Sequence, residues 1–171
     1  MKKYIFIIIV LVVGSAIGLT LLSRNSGDVV SGELDKAPDF SLSNEFGDVF
    51  SLSDFEGKVV VINSWATWCP FCVNELDDFA QLQKEFETRI QVIAVNRQES
   101  VEKSSEFISG LGLDGDMLFL LDPQDSFYRS IGGLSMPETI FVNEVGEIVF
   151  HKRGPMELEE MSQRVKEIIN N

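Results

Sequence analysis

The chain holds only two cysteines and a single histidine in 171 residues. So few thiols exclude a disulfide-stapled scaffold, and the lone histidine leaves a zinc site built on the cysteines short of ligands. Positive charge is also scarce: 14 Lys and Arg stand against 27 Asp and Glu, a net charge of −13. A surface this acidic repels nucleic-acid phosphates and anionic lipid, so neither is an expected partner. The acidity keeps the chain soluble or steers it toward a basic partner. Internal repeats and low-complexity segments are absent.

A long, almost wholly apolar run is missing everywhere except the N-terminus. Residues 4–22 carry no charge and lie between Lys2, Lys3 and Arg24; at 19 residues, the run is long enough to cross a bilayer core as a helix. It exceeds the apolar core of about 7–15 residues in a cleavable signal peptide. Its small residues Gly14, Ser15 and Ala16 also fall mid-run rather than at the end. An uncleaved anchor is therefore expected ahead of a signal peptide, and with no cysteine following the run a lipidated one is excluded. The N-terminal lysines keep that end cytoplasmic and send the rest across the membrane, where disulfides form and persist. The expected division is an anchor over 1–24, a flexible polar linker over 25–36 and one domain over 37–171.

The two cysteines sit together in Trp68-Cys69-Pro70-Phe71-Cys72. Residues 59–62 are a β-branched run bounded by Gly57, which reads as a buried strand. From Cys72 onward, Leu76, Phe79, Leu82 and Phe86 recur at the spacing of one helix face. The sulfurs therefore lie where a strand ends and a helix begins, with Pro70 suited to the first helical position. Cys69 there faces the free N–H groups and positive dipole end of the helix, which favours its thiolate and should lower its pKa. Cys72, about one turn in, is within reach for a disulfide. A structural staple would gain little from so short a loop, and inert thiols would be odd beside Trp65 and Trp68. The pair reads as redox-active, with Cys69 attacking and Cys72 resolving.

Around this junction the pattern predicts a hairpin with its turn at 44–48, a short cap at 53–57, strands over 58–63, 90–95 and 118–121, and helices over 70–87, 100–111 and 124–131. Strands over 139–143 and 147–152, joined through Gly146, precede a last amphipathic helix marked by Leu158, Met161, Val165 and Ile168. Strand–helix alternation ending in a hairpin and a helix implies an α/β sandwich around a mixed sheet.

That order, with Cys-x-x-Cys at a strand-to-helix junction and a proline opening the penultimate strand, resembles the thioredoxin fold, here carrying an added N-terminal β-hairpin and a helix–strand insertion after one transmembrane helix. Ala37-Pro38-Asp39-Phe40, the 63–72 stretch Asn-Ser-Trp-Ala-Thr-Trp-Cys-Pro-Phe-Cys and Met136-Pro137-Glu138-Thr139 are similar to the membrane-anchored, exported thiol–disulfide oxidoreductases of the ResA/TlpA type. The Pro-Glu-Thr step, with Gly154-Pro155 later, is most similar to members serving cytochrome c maturation. The resemblance implies a cis Met136–Pro137 bond against the cysteines, leaving the Met136 backbone to pair with an extended substrate. It implies a catalytic glutamate at Glu75, one turn beyond Cys72, with a pKa raised by partial burial. Cys69, Cys72, Glu75 and Pro137 are thus the expected catalytic set. Trp68, Pro70, Phe71, Met136 and Glu138 are the expected substrate contacts, Glu138 being also a second candidate acid. Asn63 departs from the buried aspartate of thioredoxin proper, so proton handling must lie elsewhere. Trp65 is expected in the core and His151 on the surface.

No cofactor is expected beyond the Cys69–Cys72 disulfide, and no metal. The implied partners are protein dithiols or disulfides, apocytochrome c haem-site cysteines among the candidates, and a membrane thiol electron carrier as reductant. Phe71 between the cysteines offers no cation to stabilise a thiolate, unlike the histidine found there in strong oxidants, and this favours a reductant. Three rivals remain. An oxidant or isomerase would use the same residues with the opposite poise. A peroxiredoxin would want a threonine three residues before its cysteine, where Ala66 stands. A metal-delivery module would use Cys69, Cys72 and His151.

Overall fold

The computed structural model describes residues 35–170, so the expected anchor and most of the expected linker lie outside the described residues. The elements run β1 (Leu42–Ser43), β2 (Val49–Phe50), β3 (Val59–Trp65), α1 (Pro70–Phe86), β4 (Ile90–Arg97), α2 (Val101–Leu111), β5 (Leu118–Asp122), α3 (Ser126–Ser130), β6 (Glu138–Val142), β7 (Ile148–Arg153) and α4 (Leu158–Ile169). Two 3-10 turns accompany them, Leu52–Phe55 between β2 and β3 and Glu87–Arg89 between α1 and β4. Among the described residues no helix is long and apolar enough to cross a membrane.

All seven strands join one mixed sheet in the order β2-β1-β5-β4-β3-β6-β7. β3 is central, parallel to β4 and antiparallel to β6. Its apolar run is continuous because both faces are covered, and its side chains alternate between them. Val59 and Val61 join the layer of α1 and α4 (Leu76, Phe79, Leu82, Met161 and Val165). Val60 and Ile62 join Phe40, Leu42, Phe55, Phe127 and Ile131 on the other face.

Two boundaries differ from the sequence expectation in a telling way. β3 continues past Asn63 to Trp65, and β6 starts one residue early at Glu138. Asn63, Ser64, Glu138 and Thr139 are all buried, and Asn63 pairs with Thr139 and Ser64 with Glu138 in register. Polar residues thus continue these two neighbouring strands at the end of the sheet where β3 delivers the chain to the cysteines. Elsewhere the local signals suffice. Gly112 ends α2 in the left-handed conformation, at φ 72°, as a C-terminal glycine does.

Candidate active site

β3 delivers the chain to the Ala66-Thr67-Trp68 loop and then to α1, whose N-cap is Cys69 and whose first helical residue is Pro70. Cys69 and Cys72 are joined as a disulfide with their Cα atoms 5.3 Å apart. The Cys72 N–H donates to Cys69 Sγ at 3.2 Å and the Val73 N–H to the Cys69 carbonyl at 3.1 Å. Cys69 therefore occupies the capping position, where the free N–H groups of a helix start converge. Both cysteines are buried, Cys72 completely and Cys69 at 4% exposed.

Three apolar side chains stand exposed in the segments that flank the disulfide. Trp68 precedes it, Phe71 lies between the cysteines, and Leu134 belongs to the loop leading into β6. That loop ends in the cis Met136–Pro137 bond expected from the sequence. Met136 packs against the cluster that contains both cysteines, and Pro137 is buried. Trp65 is fully buried between Phe107 and Phe119.

Glu75 is 3% exposed. Asn63 Nδ2 donates to its Oε1 at 2.7 Å and the Met156 N–H to its Oε2 at 3.0 Å. Burial pushes its pKa up to about 7, against those two hydrogen bonds, with the Asp78 charge adding a little. No cation pairs with it among the described residues. Asn63 donates also to Thr139 Oγ1 at 3.1 Å, so the residue that cannot titrate links β3, β6 and the titrating glutamate.

Glu138 is fully buried but differently placed. Its Oε2 accepts the N–H groups of Leu134 and Ser135 at 2.8 and 3.0 Å. Arg153 Nε donates to Oε1 at 3.1 Å. His151 Nε2 is 2.7 Å from the same oxygen, in contact but off the line of a hydrogen bond. Burial works to raise the Glu138 pKa, but the two backbone donors and His151 outweigh it and hold it below the ordinary carboxylate value. The expectation of a surface histidine is corrected here: the His151 side chain is 21% exposed because it is drawn in against this charge.

Sequence reasoning missed a third carboxylate. Glu99, just after β4, accepts the Thr67 N–H at 2.8 Å and the Thr67 hydroxyl at 2.6 Å, together with Asn96 Nδ2 at 2.9 Å and the Lys103 ammonium. Burial opposes its charge, but Lys103, Thr67 and Asn96 hold its pKa down to about 2. It thereby pins the loop that enters the cysteine motif. Its tie to Thr67 spans 32 residues, so no local pattern marks it. Among the described residues, no three or more His, Cys, Asp or Glu side chains gather as a metal site.

A Cys-x-x-Cys disulfide capping the first long helix after a central strand, in a seven-stranded mixed sheet whose neighbouring strand opens on a cis-proline, defines a thioredoxin-like thiol–disulfide oxidoreductase. The chain belongs to the Redoxin family, whose model matches residues 33–169. It is 33% identical to the thioredoxin-like protein YneN of Bacillus subtilis, over 96% of this chain and 98% of that one. It is 32% identical to the thiol-disulfide oxidoreductase ResA of Halalkalibacterium halodurans, over 94% of this chain and 91% of that one. Among solved structures it is similar to the pneumococcal exposed lipoprotein thioredoxin Etrx1 of Streptococcus pneumoniae, with a TM-score of 0.69 and 29% identity over 76% of this chain and 99% of that one. The fold is shared also with StoA of Bacillus subtilis, at a TM-score of 0.64 and 23% identity over 74% and 96%.

Proposed function

We propose that the protein is an extracytoplasmic reductant of protein disulfides, tethered to the membrane by residues 1–24 through the linker 25–36, and that the domain over 37–171 carries the chemistry. The observation that supports this reading best is the pairing of a helix-capping Cys69 with a buried Glu75 that titrates near pH 7 one turn beyond Cys72.

In the dithiol form, the Cys69 thiolate attacks one sulfur of a substrate disulfide. A mixed disulfide forms and the other substrate sulfur leaves as a thiolate that takes up a proton. Cys72 then loses its proton, with Glu75 as acceptor, and attacks Cys69. The second substrate thiolate leaves, and the product is the Cys69–Cys72 disulfide with two reduced substrate thiols. Two electrons pass from the protein to the substrate, and a membrane dithiol carrier returns them. Trp68, Pro70, Phe71 and Met136 form the apolar surround for the substrate. Pro137 shapes its floor, and the buried, ion-paired Glu138 orders the loop rather than exchanging protons. Apocytochrome c haem-site disulfides fit as substrate, a reading that rests on the likeness to ResA-type proteins.

The test is the reduction potential of the Cys69–Cys72 couple in the full-length protein, equilibrated against glutathione and dithiothreitol buffers. A value of roughly −250 mV or lower is expected for a reductant. A value near about −120 mV would mark an oxidant and overturn the reductive direction.

A further inference from the structure

The loop over 131–137 is restrained far more heavily than its surface position requires, and the chief restraint is Tyr128, one of only two tyrosines in the chain. The Tyr128 hydroxyl donates to the Ser135 carbonyl at 2.6 Å, and the Gly133 N–H donates to the Tyr128 carbonyl at 2.9 Å. Gly133 lies so close over the ring that a Cβ there would stand 2.4 Å from Tyr128 Cζ. Glu138 holds the N–H groups of Leu134 and Ser135 from the other end of the loop.

Tyr128 is itself anchored. The Arg97 guanidinium lies 3.3 Å from its ring centroid and forks onto both carboxylate oxygens of Asp125 at 2.6 Å each. Asp122 accepts the N–H groups of Ser126, Phe127 and Tyr128, which fixes the start of α3. Burial, the largest influence on the phenol, raises its pKa, so Tyr128 stays a donor at any physiological pH. The end of β4, the short helix α3 and the loop before β6 are thereby joined into one rigid unit.

One residue escapes these restraints. Among the described residues, neither the N–H nor the C=O of Met136 makes a hydrogen bond, although its side chain packs on the cluster holding both cysteines. Restrained neighbours around an unpaired backbone amide are what an extended polypeptide needs to add as a strand, because the ordering cost is met before it arrives.

We propose that Tyr128 is a positioning residue for the polypeptide partner: through the Ser135 carbonyl it holds the Met136 backbone ready for an extended, cysteine-bearing segment whose sulfur reacts with Cys69. The inference rests on the reading above that the partner is a protein, but not on the direction of electron flow. Tyr128 touches neither sulfur, so it acts on partners with a backbone to seat and not on small thiols.

The experiment uses the oxidised full-length protein and two reductants, a reduced nonapeptide containing Cys-x-x-Cys and dithiothreitol, each in large molar excess so that mass action carries the exchange toward the reduced protein whatever its potential. In both reactions a reductant thiolate attacks Cys69, Cys72 leaves as a thiolate, and the second reductant thiol resolves the mixed disulfide. The reductant becomes a disulfide and the protein a dithiol. Tyr128→Phe keeps the ring and its stacking on Arg97 but loses the bond to Ser135. It is expected to slow the peptide reaction roughly five- to tenfold, the worth of about one hydrogen bond, while the dithiothreitol rate stays within about twofold. Gly133→Ala, which pushes on the same ring, is expected to lower the same ratio. A Tyr128→Phe protein that keeps the wild-type ratio, or that slows equally with both reductants, overturns the assignment of Tyr128. A wild-type protein that reacts with dithiothreitol but not with the peptide overturns instead the polypeptide-substrate reading, and this inference with it.

Discussion

Glu75 and Glu138 are both buried glutamates, and they behave in opposite ways. Glu75, on α1, meets one amide and one backbone N–H and no cation, and burial lifts its pKa to about 7. Glu138, on β6, meets two backbone N–H groups, Arg153 and His151, and its pKa is lowered. Burial is common to both, so burial does not decide the charge state; the neighbours do. One carboxylate is left able to exchange a proton near neutral pH. The other is locked as an anion and serves as a clamp. A redox site that moves protons while keeping a loop in place needs one of each.

The largest expected effect lies on the clamp. Glu138→Leu leaves two loop N–H groups without an acceptor and Arg153 without its counter-charge. Removing one partner of a buried pair costs about 3–5 kcal/mol, and here the lower part of that range is expected because the Arg153 side chain is half exposed and can rehydrate. Urea unfolding at pH 7 measures it. A loss under about 1 kcal/mol would mean that Glu138 is not a clamp and that its likeness to Glu75 is closer than the hydrogen bonds imply.

Next is the pH dependence, in which the two residues should slope in opposite directions. Glu75 binds its proton more tightly in the folded protein than in the unfolded chain. Its contribution to stability is therefore present below its ordinary value of 4.5, is lost as pH rises toward 7, and is level above that. A shift of that size corresponds to about 3 kcal/mol as an upper figure. Glu138 runs the other way: its contribution is present above the ordinary carboxylate value and is lost on acidification through the lowered one. Glu75→Gln should remove the decline between pH 5 and 8 in urea midpoints and flatten the rise in disulfide-exchange rate near pH 7. A variant that keeps the wild-type slope would show that another group titrates there.

The parts of this contrast that were legible in the sequence are those written over short distances. Residues 59–62 announce a doubly covered strand, Pro70 a helix start, Cys69 and Cys72 a redox pair, and Glu75 a group one turn away. The cis Met136–Pro137 bond followed from the family resemblance rather than from any local pattern. What stayed hidden is polar and long-range. The end of β3 and the start of β6 read as loop because Ser64 and Glu138 are not strand-core residues by composition, yet both are buried. The Glu99–Thr67, Arg97–Asp125 and Glu138–Arg153 partnerships span 32, 28 and 15 residues, and no periodicity encodes which acid meets which donor. His151 was misplaced for the same reason: only the pairing of β6 with β7 sets it opposite Ile140 and near Glu138.

Glu99 extends the comparison to a third carboxylate and carries the smallest expected effect. Each of its oxygens accepts two donors, Thr67 Oγ1 and Lys103 on one, Thr67 N and Asn96 on the other. A glutamine keeps the shape but turns an NH2 group toward one of those pairs, so two donors lose their acceptor whichever way the amide points. Several groups are affected, but Lys103 is more than half exposed and regains water, so the net loss in Glu99→Gln should be about 1–2 kcal/mol at pH 7. The pH dependence identifies the cause. Glu99 holds its proton less tightly in the folded protein, so its contribution is present above 4.5 and disappears as pH falls toward about 2. The gap between wild type and Glu99→Gln should therefore stay level from pH 7 to about pH 5 and narrow from there as urea midpoints are taken down to pH 3. A gap that stays constant over that range would assign the loss to packing rather than to charge. Glu99 would then join neither Glu75 nor Glu138, and the loop before Cys69 would be held by its shape alone.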